Sequence, residues 1–136
     1  MVSALALTAC SSTSSESQAP ANEQTNPVEH LGANGIGTYV ALGDSFASMA
    51  SRAGAQRPDE PVADFCRRSP DNYPAIVAEL LGTDTAIDRS CQGAIIDNLS
   101  ETREAGGVEV PAQLNILRET EQPVELVTLT IGGNDI

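Results

Sequence analysis

Basic residues are scarce in this chain. Its 136 residues include seven Lys and Arg against nineteen Asp and Glu, for a net charge of −12. The few cations do not cluster, which argues against a nucleic-acid surface and leaves no polybasic membrane patch. The acidic excess favours solubility and disfavours anionic partners, and says little about fold. No apolar run reaches the ~20 residues needed to span a bilayer, and there is no internal repeat. Histidine occurs once, as His30, and cysteine three times. Two isolated cysteines and one distant histidine lack the ligand spacing of a zinc site. The Gly-Lys-Ser/Thr spacing of a phosphate-binding P-loop is absent as well. Neither a metal nor a cofactor is expected.

What the sequence does contain divides into three parts. Residues 1–10, MVSALALTAC, form a short apolar stretch ending in Leu7-Thr8-Ala9-Cys10. This resembles a bacterial lipobox, whose cysteine is lipidated and becomes the mature N-terminus, although the positive region of a signal peptide is missing. Residues 11–37 are rich in Ser, Gln, Asn, Ala and Pro. Such a segment buries too little apolar surface to offset its ordering entropy, so it reads as a disordered tether. With Cys10 acylated by several chains, anchoring would be stable, and the tether would let the rest range about 30 Å from the membrane. Residues 38–136 are long enough for one small domain with a marginal core. Export would permit disulfides. Beyond Cys10, the pair Cys66 and Cys91 is left either bridged or as two free thiols.

Within 38–136 the apolar pattern alternates between strand and helix. TYVALG, 38–43, reads as a buried strand closed by Gly43. A polar loop follows over about 50–71. Residues 72–82 carry Ile76, Val77, Leu80 and Leu81 at helical spacing, with Pro74 near the start and Gly82 at the end. Residues 83–90 read as a weaker strand, 94–101 as a short amphipathic helical turn, and 110–120 as a helix with Leu114, Ile116 and Leu117 inward. VELVTLTIGG, 124–133, is the strongest strand. This order predicts an α/β fold: a three-layer α/β/α sandwich around a mostly parallel sheet.

That topology gives the polar motifs a common address. Gly43-Asp44-Ser45, Cys91-Gln92-Gly93 and Gly132-Gly133-Asn134-Asp135 each follow a strand. In a parallel sheet all three strand ends lie at the carboxyl edge, where open α/β sheets bind ligands. Taken alone, Ser45 could be a polar turn residue. Beside two other glycine-containing loops it gains a chemistry. Acyl transfer needs a nucleophile and donors aimed at the developing oxyanion. Ser45 on a sharp strand-to-helix turn supplies the first. A backbone N–H freed of steric cover at Gly93 and the side-chain amide of Asn134 supply donors. Asp44 and Asp135 could mimic a carboxylate pair but are expected to hydrogen-bond within their own loops. Asp59, Glu60 and Asp64 read as a solvated acidic cluster, and Arg67 and Arg68 as exposed. Ile95, Ile96, Leu114 and Leu117 read as core.

GDSFAS, CQGA and IGGND resemble, in order, the first three blocks of the SGNH (GDSL) hydrolase superfamily. CRRSPDNYP and LVTLTIGGND are similar to its actinobacterial secreted lipase and esterase branch. The resemblance spans about 38–136 and implies a flavodoxin-like SGNH fold, incomplete at its C-terminus. It implies Ser45 as nucleophile and oxyanion N–H, Gly93 as a second oxyanion N–H, and Asn134 as the side-chain donor. It also implies a Cys66–Cys91 disulfide. The expected activity is ester hydrolysis through an acyl-enzyme, on a lipid, a small acyl ester or an acetylated sugar.

Several positions depart from that pattern. Ala47, Ser48, Met49 and Ala50 stand where the branch often has a glycine, and Gln92 where a small serine is more usual. The last block of the family, Asp-x-x-His, supplies the general base, and nothing in 1–136 matches it. His30 lies in the tether, with no signal that would hold it within hydrogen-bond reach of Ser45. No general base is therefore assigned, and the chain as it stands is expected to be a catalytically incomplete portion of an exported ester hydrolase. Two other function classes compete. One is a non-catalytic, degenerate SGNH-fold binding lipoprotein. The other is an anion-binding loop at Gly43-Asp44-Ser45.

Overall fold

The computed structural model describes residues 35–49 and 60–136. Cys10, His30, Ala50 and Asp59 lie outside these residues, as does most of the segment read as a tether.

Strand β1 (Thr38–Gly43) is the centre of the fold, and all six of its residues are buried. β2 (Thr85–Asp88) and β5 (Val124–Thr130) pair with it in parallel, giving the order β2-β1-β5. A continuous apolar run suits a strand covered on both faces, and β1 is flanked in that way. Val40 and Leu42 pack on one face against Ile116 of α4 (Ile116–Glu119), with Ile87 and Val124 alongside. Tyr39 points to the other face, where its hydroxyl meets Thr128 Oγ1 at 2.7 Å and Tyr73 of α3 (Tyr73–Leu81) joins the same group of hydroxyls. The result is the expected α/β/α layering.

Local signals explain the ends of α3. Asn72 caps it by accepting from the Ala75 N–H at 3.0 Å, and Pro74 occupies the first turn. Gly82 closes it in the left-handed conformation, φ 57°, a geometry that glycine adopts without a Cβ penalty. The Asn72 amide reaches further, donating to Ser48 O and to Asp88 Oδ2. One capping side chain thus ties α3 to α1 (Ser45–Ser48) and to β2.

Just before β1, Ile36 is buried and the Gly37 N–H donates to Glu125 Oε2 at 2.9 Å. Three expectations need correction. The segment read as loop contains α2 (Pro61–Phe65). Residues 110–120 are not one helix but a 3-10 turn, Gln113–Asn115, followed by α4. Pro111, which has no N–H to donate, precedes that turn. Finally, an antiparallel hairpin of β3 (Arg103–Ala105) and β4 (Val108–Val110) stands where no strand was expected. Its two-residue turn, Gly106-Gly107, has positive φ at both positions, the backbone that tight hairpins demand.

Burial also departs from the apolar pattern. Of the expected inward residues on 110–120, Ile116 is buried, while Leu114 and Leu117 are exposed by about two-fifths. Ile96 is 53% exposed, so it is not core. A second cluster forms instead around the Cys66–Cys91 disulfide, with Ala94 and Val110 buried and Val62, Phe65, Val108 and Ile131 packed against it. This second cluster lies directly under the loop that carries Gly93.

Candidate active site at the carboxyl edge

Ser45 is the first residue of α1 and is partly exposed. Asp44 before it is buried and accepts from the Phe46 N–H at 2.9 Å, capping the helix from within its own loop as expected. The chain turns sharply here because Gly43 adopts φ 142°. A Cβ at that position would meet Thr130 O at 2.2 Å, so only glycine lets β1 and the end of β5 approach this closely.

The three loops are joined to one another by hydrogen bonds. The Asp44 N–H donates to Thr130 O at 2.9 Å, linking the first loop to the end of β5. The Cys91 N–H donates to Gly43 O at 3.0 Å, linking the second loop to the first. Asn134 Nδ2 donates to Ala94 O at 2.9 Å, and the Ile96 N–H donates to Asp135 Oδ1 at 3.0 Å, linking the third loop to the second. Asp135 bonds within its own loop as well, its N–H donating to Gly132 O at 3.4 Å, while its carboxylate reaches the second loop. A methyl group placed on Gly133 would lie 3.4 Å from Asp44 Oδ2 and 3.5 Å from Phe46 Cε2, so the first and third loops also touch.

The Gly93 loop is braced from below. Cys66 and Cys91 are disulfide-bonded, with an S–S distance of 2.07 Å. Gln92 bridges the same two segments, its N–H donating to Cys66 O and its Nε2 to Phe65 O. Arg103 of β3 donates to Gln92 O at 2.9 Å and stacks over the Phe65 ring. Gly93 itself is exposed and has φ 66°. Arg68, expected to be exposed, is half-buried and donates from Nε to Ser90 O, steadying the residue before Cys91. Arg67, Glu60 and Asp64 are exposed.

Two contributors escaped sequence reasoning. Arg103 sits on the unexpected hairpin, whose Gly-Gly turn was the available signal. Gln113 is buried in the 3-10 turn, and its amide makes two hydrogen bonds to one residue: it accepts from Gly43 N–H at 2.7 Å and donates to Gly43 O at 2.9 Å. No motif marks it.

Among the described residues, no group of three His, Cys, Asp or Glu could hold a metal ion, and no helix is long and apolar enough to cross a membrane. A cavity of about 440 Å³ lies on the α3 side of the sheet, bordered by Tyr39, Arg68, Asn72, Asp88 and Arg89. Ser45, Gly93 and Asn134 do not line it.

The fold is α/β, and its three joined loops lie together at the carboxyl edge of the parallel sheet. No family model matches the chain. Lipase 2 of Streptomyces coelicolor (strain ATCC BAA-471 / A3(2) / M145) is 37% identical over 97 residues, which is 71% of this chain and 29% of that protein. Two solved structures are similar at 31% identity and a TM-score of 0.48, each covering 74% of this chain. They are phospholipase A1 from Streptomyces albidoflavus NA297, of which 35% is covered, and an extracellular lipase from Streptomyces rimosus, of which 36% is covered. The chain thus spans about a third of the length of the relatives it matches. The relative it matches is an actinobacterial lipase, which is consistent with the resemblance of its three blocks to the SGNH (GDSL) hydrolase superfamily.

Proposed function

We propose that the chain carries the nucleophile and oxyanion hole of an exported ester hydrolase of the lipase or esterase type. The observation that carries this reading is the mutual hydrogen bonding of the Gly43-Asp44-Ser45, Cys91-Gln92-Gly93 and Gly132-Gly133-Asn134-Asp135 loops at one sheet edge. Ser45 Oγ attacks the ester carbonyl carbon, and its proton passes to a general base. The carbonyl oxygen becomes an oxyanion that accepts from the N–H groups of Ser45 and Gly93 and from Asn134 Nδ2. Collapse expels the alcohol and leaves an acyl-Ser45, which water hydrolyses. The substrate is a carboxylic ester: a lipid, a small acyl ester or an acetylated sugar. No residue among those described is assigned as the general base. The stretch between Cys10 and the packed unit acts as a tether, and Cys10 is the site of lipid attachment.

A serine-directed fluorophosphonate probe tests the assignment. The chain joined to the coding sequence that follows it should be labelled, and Ser45→Ala should abolish labelling. Labelling that survives Ser45→Ala would sink the assignment. The 136-residue chain should show no appreciable turnover of p-nitrophenyl acetate. Turnover that disappears in His30→Ala would instead make His30 the base.

A further inference from the structure

We infer that Gln113 is a positioning residue for Ser45, acting through Gly43. This rests on the reading of Ser45 as nucleophile. Gln113 is 2% exposed and 70 residues away in sequence from the glycine it holds. Its amide presents one acceptor and one donor side by side, the same face that a neighbouring strand would offer. It occupies both polar groups of Gly43, at 2.7 Å and 2.9 Å. β1 has β5 on one side and β2 on the other, but β2 pairs only as far as Ala41. Gln113 continues the hydrogen bonding beyond that point, at the residue where the chain leaves the sheet toward Ser45.

Gly43 is also where the other loops converge. Its carbonyl accepts from Cys91 N–H as well as from Gln113 Nε2, and the next N–H, Asp44, donates to Thr130 O. A glycine at φ 142° has wide conformational freedom unless it is held from outside. The peptide that leads to Ser45 is thus held by Cys91, by Thr130 and by one side chain from the segment between β4 and α4. That segment carries none of the three sequence blocks. Small displacements of a nucleophile are costly to catalysis, and a buried two-bond clamp limits them.

Nuclear magnetic resonance on the 136-residue chain tests the clamp without requiring turnover. Gln113→Met keeps the side-chain volume and removes both hydrogen bonds. Amide-exchange protection at Gly43 and Asp44 should fall roughly 10- to 100-fold, while Ile87 and Leu126 keep theirs. The Ser45 N–H order parameter should leave the rigid range near about 0.85. Gln113→Glu gives the rescue arm. As a neutral acid the introduced side chain can both accept from Gly43 N–H and donate to Gly43 O, and as a carboxylate it can only accept. Protection at Gly43 should therefore return as the introduced carboxyl is protonated. A uniform loss of protection across the sheet, or none at Gly43 and Asp44, would overturn the inference. The fluorophosphonate result separates the two ideas. Labelling that fails while the exchange response appears removes the nucleophile and leaves the clamp; labelling that succeeds without the response removes the clamp.

Discussion

Asn134 Nδ2 donates to Ala94 O at 2.9 Å, so the amide of the third loop is oriented by the second. A side-chain amide has two N–H groups. One is committed to Ala94, and in the proposed reading the other donates to the oxyanion. In the chain joined to its downstream coding sequence, Asn134→Ala should slow fluorophosphonate labelling about 100- to 1,000-fold, the usual effect of removing one oxyanion donor. A rate close to that of the parent chain would take Asn134 out of the proposed hole.

Gly43→Ala and Gly107→Ala should differ sharply in stability. Both glycines have positive φ, 142° and 78°. A Cβ on Gly107 meets nothing within 4 Å, so the cost is that of left-handed backbone alone, roughly 1–2 kcal/mol. A Cβ on Gly43 lies 2.2 Å from Thr130 O and must part β1 from β5. That breaks the Asp44–Thr130 hydrogen bond, for a loss above about 3 kcal/mol. Urea midpoints of the two variants check the ranking.

The contrast shows which features of the fold the sequence could reveal. β1 and β5 were legible because continuous β-branched and aliphatic runs ended at glycines, and α3 because Asn72, Pro74 and Gly82 mark its ends chemically. The β3–β4 hairpin was not, because three-residue strands such as Arg103–Ala105 carry no readable alternation. Ser45, Gly93 and Asn134 were legible as motif positions at strand ends, and parallel topology brought their loops together. Gln113 was hidden, since its partner lies 70 residues away and its type, amid Ala112 and Leu114, suggests only a helix surface. Ile96, Leu114 and Leu117 misled in the opposite direction. Apolar type alone does not say which face has a neighbour to cover it.

Removing the Cys66–Cys91 disulfide should weaken both stability and the Gly93 loop. The bridge closes a separation of 25 residues, worth roughly 3–4 kcal/mol in the chain-entropy picture. The paired substitution Cys66→Ser and Cys91→Ser should lower the urea midpoint accordingly. Because Gln92 still spans Cys66 O and Phe65 O, the loop should loosen rather than detach. Amide exchange at Gln92 and Ala94 should accelerate more than at Ile87. A midpoint unchanged from the parent would show that the bridge adds nothing to the folded state.

Tyr39 gives the sheet an alkaline limit. Burial pushes its phenol above the ordinary value near 10; the hydrogen bond with Thr128 pulls partly back, and Tyr73 and Asp88 add to the rise. An unfolded phenol releases its proton near pH ~10, whereas the folded one holds it to higher pH. The stability from this group is therefore complete below about pH 10 and is lost as pH rises through the folded value. Tyr39→Phe should flatten that alkaline decline and lower the neutral plateau by about 1 kcal/mol, the worth of the lost bond to Thr128. The chain has two tyrosines, so in a Tyr73→Phe background tyrosinate absorbance reports Tyr39 alone. A midpoint at or below that of free tyrosine would mean that the buried face of β1 does not resist the charge, and the alkaline decline would then need another source.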